Sequence, residues 1–366
     1  MHWQSLPGIA ARAQPDDFFR GSGRERMGRN TKWIDSQPDD LVDDVARRAL
    51  EVRLDRLWYF LEQAVVEPNS ETENVHQLRV FTRRAGASME IFAELLPKRR
   101  GRWMRKQLKR LRQAAGEARD LDVLRLRWAA QLDEGTATLA QGAASSLKLL
   151  LEQASRRRRK AQWPIEEIYQ KLLRKNFARR TKKLLKRIRV RDAKTPGSQP
   201  TGNNQPAADL HLGAVAHQQL DQLVEPYLKA AEADMVDAPV LHAFRIQGKE
   251  IRYAMEIFAG AFEADFRQEL YPLVAELQDR LGAINDHVTA QEYLSAWGEE
   301  TASSAVREAV AAGLQIEQAA FDESRRDFLT WWTPERRSSL RRQFAKYLPL
   351  DRAIESLPTA PRQDIA

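Results

Sequence analysis

A chain of 366 residues, 43% hydrophobic and 30% charged, is too long for one small core and predicts two compact units. It has no cysteine, which excludes disulfides, thiolate metal sites and a cysteine nucleophile, and no apolar run of signal-peptide or membrane-spanning length, so a soluble cytoplasmic protein is expected. The net charge of +8 hides a division: residues 98–192 hold 29 Lys and Arg against 9 Asp and Glu, leaving 30 basic and 42 acidic residues elsewhere, which points to a polyanionic partner for one region.

Residues 1–38 mix Gly, Pro, Asp, Arg and Ser without a sustained period and read as a flexible tail. A first helical subdomain is expected over residues 39–192. Its first helix spans Leu41–Val66 behind an Asp39-Asp40 cap, with Val45, Leu50, Leu54, Leu57, Leu61 and Ala64 as the core-facing stripe. A second helix is expected over Glu73–Leu96, stopped by Pro97, and a long basic third over Arg99–Asp133, bent where Gly116 weakens it. Helices over Ala143–Ala161 and Ile165–Arg191 follow, the latter with Pro164 in its first turn. AKTPGSQPTGNNQP at residues 193–206 reads as a linker, a second helical subdomain is expected over 207–350, and residues 351–366 read as a C-terminal tail.

An internal repeat organises these elements. VHQLRVFTRRAGASMEIF at residues 75–92 aligns without gaps on LHAFRIQGKEIRYAMEIF at residues 241–258, an offset of 166 that also pairs Leu111 with Leu277, Gly116 with Gly282 and Asp120 with Asp286. At helical spacing His76, Arg79 and Arg83 share one face, and His242, Arg245, Lys249 and Arg252 repeat it. Leu78, Ala85, Met89 and Phe92, and in the second copy Phe244, Ile251, Met255 and Phe258, take the core side.

The third helix extends the basic surface through Arg102, Arg105, Lys106, Lys109 and Arg112, and a helix of that length, roughly 45 Å, could follow an extended ligand. Lys171, Lys175, Arg179, Lys182, Lys186 and Arg189 form a further stripe opposite Leu173, Phe177, Leu184 and Ile188; for it, and for Arg156–Lys160, a solvated face is the favoured reading. The repeated histidines suit either a hydrogen bond between helices or a contact to phosphate, whereas neighbouring arginines oppose a metal cation. Asp120 and Asp122 could hold magnesium only weakly, and an ion pair or helix-cap role is preferred. Trp103 and Trp128 read as core or rim.

VHQLRVFTRR followed by GEARDLDV, and LHAFRIQGKEIRY followed by GAINDHV, resemble the conserved histidine α-helical domain, or CHAD domain, over about residues 41–348. The resemblance implies an all-α fold of two pseudo-twofold-related four-helix subdomains around a basic central cleft. It also implies binding of inorganic polyphosphate, an association with polyphosphate granules, and no cofactor. Carried over residue by residue, the ligand contacts fall on His76, Arg79, Arg83, His242, Arg245, Lys249 and Arg252, with Arg102, Arg105, Lys106, Lys109, Arg112 and Arg119 as lining. The copies differ where Asn285 stands in the place of Arg119, and the second copy is poorer in cations, so lopsided contacts are expected.

Two other functions fit parts of the pattern. An isoelectric point near 9.7 also suits a nucleic-acid binder, although such proteins usually interleave aromatic rings with their cations. A metal-dependent polyphosphate-processing enzyme would need a signature of its own, and neither a glycine-rich phosphate loop, nor His-Glu-x-x-His, nor a nucleophile elbow occurs.

Overall fold

The computed structural model describes residues 32–67, 72–134, 143–188 and 210–350. Among them the fold is all-α, with no strand and only an isolated bridge between Leu41 and His211. In the first half lie α1 (Val42–Val66), α2 (Thr72–Ile91), α3 (Lys98–Ala114), α4 (Gly116–Glu134), α5 (Ala143–Lys160), α6 (Trp163–Arg174) and α7 (Phe177–Leu185). In the second lie α8 (Leu212–Ala231), α9 (Ala238–Phe258), α10 (Tyr271–Glu300), α11 (Ser304–Trp331) and α12 (Pro334–Ala345). No helix of the described residues is long and apolar enough to cross a membrane.

The expected α1 stripe is buried throughout, as are the apolar positions of both motif copies. The breaks differ from expectation for local reasons. The long basic helix is two, because the chain pauses at Ala115 and restarts at Gly116. The helix expected over Ile165–Arg191 is divided at Asn176, whose φ of 52° lies in the left-handed region where a helix cannot continue. Arg189 and Arg191 lie outside the described residues, as do the linker 193–206 and the tail 351–366.

No aspartate side chain caps α1. Asp40 instead accepts the Gln37 N–H at 3.1 Å and pairs with Arg48, while α1 is started by backbone: the Val42 N–H donates to the Leu210 carbonyl and the Leu212 N–H to the Asp40 carbonyl, each at 2.9 Å. The first helices of the two halves therefore begin side by side.

Of the stretch read as a flexible tail, residues 32–38 are described, and they correct that reading. Ile34 is buried, its N–H donates to the Glu256 carbonyl at 3.3 Å, and Trp33 packs edge-on against Tyr271 with ring centres 4.7 Å apart. Two apolar side chains suffice to seat an otherwise aperiodic segment, since burying each is worth about 1.5–3 kcal/mol. Gly260 lies under this segment, and a Cβ there would overlap the Ser36 carbonyl.

The buried apolar side chains form one contiguous cluster from Ile34 to Leu350. Helices of the two halves meet at three places: α1 lies against the start of α8, α2 lies against α9, and α4 and α5 lie against α10 and α11. At the third junction Trp128 and Trp297 pack edge to face at 6.2 Å, and Gly313 lets α11 come so near α5 that a Cβ would be 2.6 Å from Leu150.

Candidate anion site

The helices carrying the aligned motifs, α2 and α9, touch through their apolar sides, with Phe92 and Phe258 edge to face at 6.3 Å. Their basic faces are coupled as a result. Burial and the positive charges of Arg83, Arg245, Arg252 and Arg79 bring the Lys249 ammonium down to about 6. Arg83 and Arg79 likewise lower Arg245, although burial contributes most. Five expected residues, drawn from both copies, thus form one cluster in which like charges oppose each other at close range.

Carboxylates sit only at its margin. Arg79 pairs with Asp120 at 3.5 Å, and its repeat mate Arg245 feels the mate carboxylate Asp286. Arg252 stands 3.7 Å from the exposed Asp279. Arg83 and Lys249, mates at the centre, make no hydrogen bond or ion pair among the described residues. The buried Nε atoms of Arg245 and Arg252 also lack an acceptor. The central pair thus has donors to spare and no carboxylate to receive them, which makes it receptive to an external anion.

The two histidines differ as their neighbours do. Burial, then the charge of Arg119, holds His76 below its ordinary value, so its ring is neutral near neutral pH; it makes no hydrogen bond among the described residues. His242 is exposed, and its Nδ1 lies 2.9 Å from Asn285 Oδ1, so that nitrogen carries the proton. Arg119 and Asn285 are repeat mates, so each histidine faces the same position of the following element. Among the described residues, no three His, Asp or Glu side chains gather in a way that could hold a metal ion.

The remaining expected residues are not brought into this cluster. Arg102, Lys106, Lys109 and Arg112 are exposed along α3, and the strongest charges acting on Lys249 all come from α2 and α9. Arg105 turns back to donate to the Met89 carbonyl at 3.2 Å and stands 4.0 Å from Glu90. Arg119 belongs to the cluster's edge, where it acts on His76, Arg79 and Asp120. In the Arg156–Lys160 run, Arg158 departs from a solvated face: it is buried and donates to Asp122 at 2.8 Å, giving Asp122 the structural role expected of it. Trp128 is core, and Trp103 is rim.

One feature escaped the sequence reading. Glu256 is fully buried and receives Arg84 through two hydrogen bonds of 2.7 and 3.0 Å, Tyr271 at 2.9 Å, and Arg53 at 3.8 Å. It clamps α9 to α1 and α2 directly behind the cluster. Its repeat mate Glu90 is exposed, so the matching MEIF blocks concealed the difference. An acid flanked by the core positions Met255 and Phe258 was the available signal.

A family model described as CHAD domain matches residues 48–295, more than half of the chain and both motif copies. Among solved structures the chain is similar to the crystal structure of the CHAD domain from the plant Ricinus communis, with a TM-score of 0.60 and 22% identity over 85% of this chain and 93% of that one. It is also similar to PptA from Streptomyces chartreusis, with a TM-score of 0.51 and 17% identity over 80% of this chain and 99% of that one. At such identities the structural likeness speaks for the fold. No curated protein matches the chain.

Proposed function

Since the chain belongs to the CHAD domain family, we propose that it binds inorganic polyphosphate along the basic cluster shared by α2 and α9, as a binding protein and without a chemical step. The observation that carries this reading is the pair Arg83 and Lys249: repeat mates, unpartnered, and set among three further arginines that depress the lysine. A linear chain of phosphates offers a negative charge at every unit and no bases. Arginine forks grip its oxygens with paired hydrogen bonds, the lysine adds a point charge, and release of condensed counterions drives association. In this reading His76 flanks the chain as a neutral hydrogen-bonding group and His242 as its repeat mate, and Arg102, Lys106, Lys109 and Arg112 supply a longer-range field along α3.

A nucleic acid would use the same charges but would also need rings for its bases. Among the described residues the exposed large hydrophobic side chains include one aromatic, Trp163, which starts α6 and belongs to neither motif helix, whereas Tyr253 beside the cluster is buried. This favours the base-free polyanion.

The test is a titration of labelled long-chain polyphosphate into the full chain and into an Arg83→Ala plus Lys249→Ala variant, with RNA as competitor at fixed salt. The expected result is a loss of about tenfold or more in affinity for the variant, on the scale of two charge-assisted contacts, and poor displacement by RNA. Unchanged affinity, or displacement by RNA at equal phosphate concentration, would refute the reading. Residual phosphate release by the wild type in the presence of magnesium or manganese would restore a catalytic role.

A further inference from the structure

A second concentration of unpaired cations lies away from the α2–α9 cluster. A cavity of about 590 Å³ opens where the start of α3 faces the break between α6 and α7. Its floor is Trp103, Met104 and Leu184; Arg99 and Arg100 enter from α3, Lys175 from the end of α6, and Arg179, Arg180 and Lys183 from α7. No carboxylate lines it.

Three observations set this cavity apart from an ordinary charged face. First, the side chains of Arg99, Arg100, Lys175, Arg179 and Lys183 have no hydrogen-bond or ion-pair partner among the described residues, and unlike the unpartnered cations spread along α3 they converge on one hollow. Second, the geometry is held in place. Arg180 donates to the Lys175 carbonyl at 2.9 Å while its guanidinium lies 4.8 Å from the centre of the Trp103 ring, which fixes one cation over the floor. Third, the turn that wraps α6 and α7 around the cavity is made by Asn176, the non-glycine residue with positive φ among those described. Such a conformation is costly and persists only where its surroundings impose it. The Asn176 side chain caps α7 by accepting the Arg179 N–H at 3.1 Å, which fixes the start of that helix at the cavity wall.

Six cations around a concave, partly apolar hollow suit a compact ligand better than a passing chain, because the volume is that of a small-molecule pocket and an extended polymer would use only its mouth. We propose that this cavity is a second anion site, which takes a compact ligand carrying a short run of phosphate groups, whether as free inorganic phosphate oligomer or as the tail of a nucleotide. The site stands independently of long-chain binding at α2 and α9.

The experiment is calorimetric titration of the full chain with tripolyphosphate, and separately with ATP, at constant ionic strength. It compares wild type, an Arg179→Ala plus Lys183→Ala variant, and the Arg83→Ala plus Lys249→Ala variant. Arg179 and Lys183 are both exposed, so their loss leaves the core intact, and a thermal melt checks this. The expected result is a tripolyphosphate site that persists in the α2–α9 variant and weakens about tenfold or more in the cavity variant. Equal affinity for ATP assigns recognition to the phosphates alone; tighter ATP binding assigns part of it to the Trp103 floor. Retention of every wild-type site by the cavity variant, or no binding of either probe to the wild type, would overturn the proposal. Failure of long-chain binding at α2 and α9 with this site intact would affect the proposed function only.

Discussion

If polyphosphate binds at the α2–α9 cluster as proposed, Lys249 is the side chain whose protonation should change most. With its ammonium brought down to about 6 by burial and by Arg83, Arg245, Arg252 and Arg79, it is largely neutral in the ligand-free protein at pH 7.5. A polyanion reverses the local field and raises the lysine again, so binding takes up a proton anywhere between the free and bound values. Affinity for polyphosphate is therefore expected to fall as pH rises above about 6, and calorimetry in buffers of different ionisation enthalpy should register proton uptake. The uptake should vanish in Lys249→Met. The same variant should fold more stably, because a lysine depressed below its unfolded value of 10.5 leaves the folded state holding fewer protons than the unfolded chain above pH 6, and the charge it otherwise carries below that pH is buried among cations. A thermal melt at pH 6 that shows Lys249→Met to be no more stable than wild type would contradict this. The repeat made Lys249 legible as a site residue. Its perturbation was not, because that depends on four arginines of two helices meeting in space, and an offset in sequence says which residues correspond without saying which of them touch.

Among the elements, the junctions between halves carry the sharpest consequences. Glu256, itself at 0% exposure, holds the buried Arg53 and the mostly buried Arg84, so Glu256→Gln leaves two cations without a charge partner behind α9. Breaking a buried pair in this way costs about 3–5 kcal/mol, which a shift in urea midpoint measures. At the junction of α4 with α10 and α11 Glu317 accepts Trp128, Arg127 and His287; burial works to raise its carboxyl, and those three partners together hold it below the ordinary 4.5. A carboxyl so lowered contributes stability that is complete above 4.5 and disappears as pH falls through its folded value. Glu317→Gln should thus flatten the acid limb of the stability curve below about pH 4.5 while costing stability at neutral pH. Helix periodicity found the buried stripes of α1, α2 and α9, and Gly116 marked the break after Ala115, but the break at Asn176 was not foreseen. Asparagine is not a strong helix breaker, and its left-handed φ of 52° is not written in the residue itself. Gly260→Ala is expected to free residues 32–38 from the core, visible as proteolysis ahead of α1, since Ser36 backbone rather than a flexible side chain stands in the way.

For the whole molecule, the division between a basic stretch and an acidic remainder does not coincide with the most strongly coupled cations. Most cations of residues 98–192 face solvent or the α3–α7 cavity, and the most strongly coupled cluster is built from the two motif helices, of which α9 lies wholly outside that stretch. Counting charges along the chain could not find this, because the cluster is defined by partners that are absent. Long-chain binding should weaken linearly in a plot of log affinity against log salt, and Arg83→Ala plus Lys249→Ala should reduce the slope by about 1 to 2.

The way the two halves begin has a further consequence for connectivity. The Ile188 carbonyl accepts a hydrogen bond from Arg47 at 3.3 Å, and Leu210 is bonded to Val42, so both ends of the intervening stretch are fastened to the first turns of α1. A covalent connection between two anchored ends contributes mainly loop-closure entropy, which changes by only about 0.6 kcal/mol for each doubling of length. The length of that connection therefore matters little to stability, whereas cutting it makes association of the halves depend on their concentration. Residues 1–195 and 200–366, produced as separate polypeptides and mixed at high concentration, should associate through the α2–α9 and α5–α11 contacts into one heterodimer that dissociates on dilution.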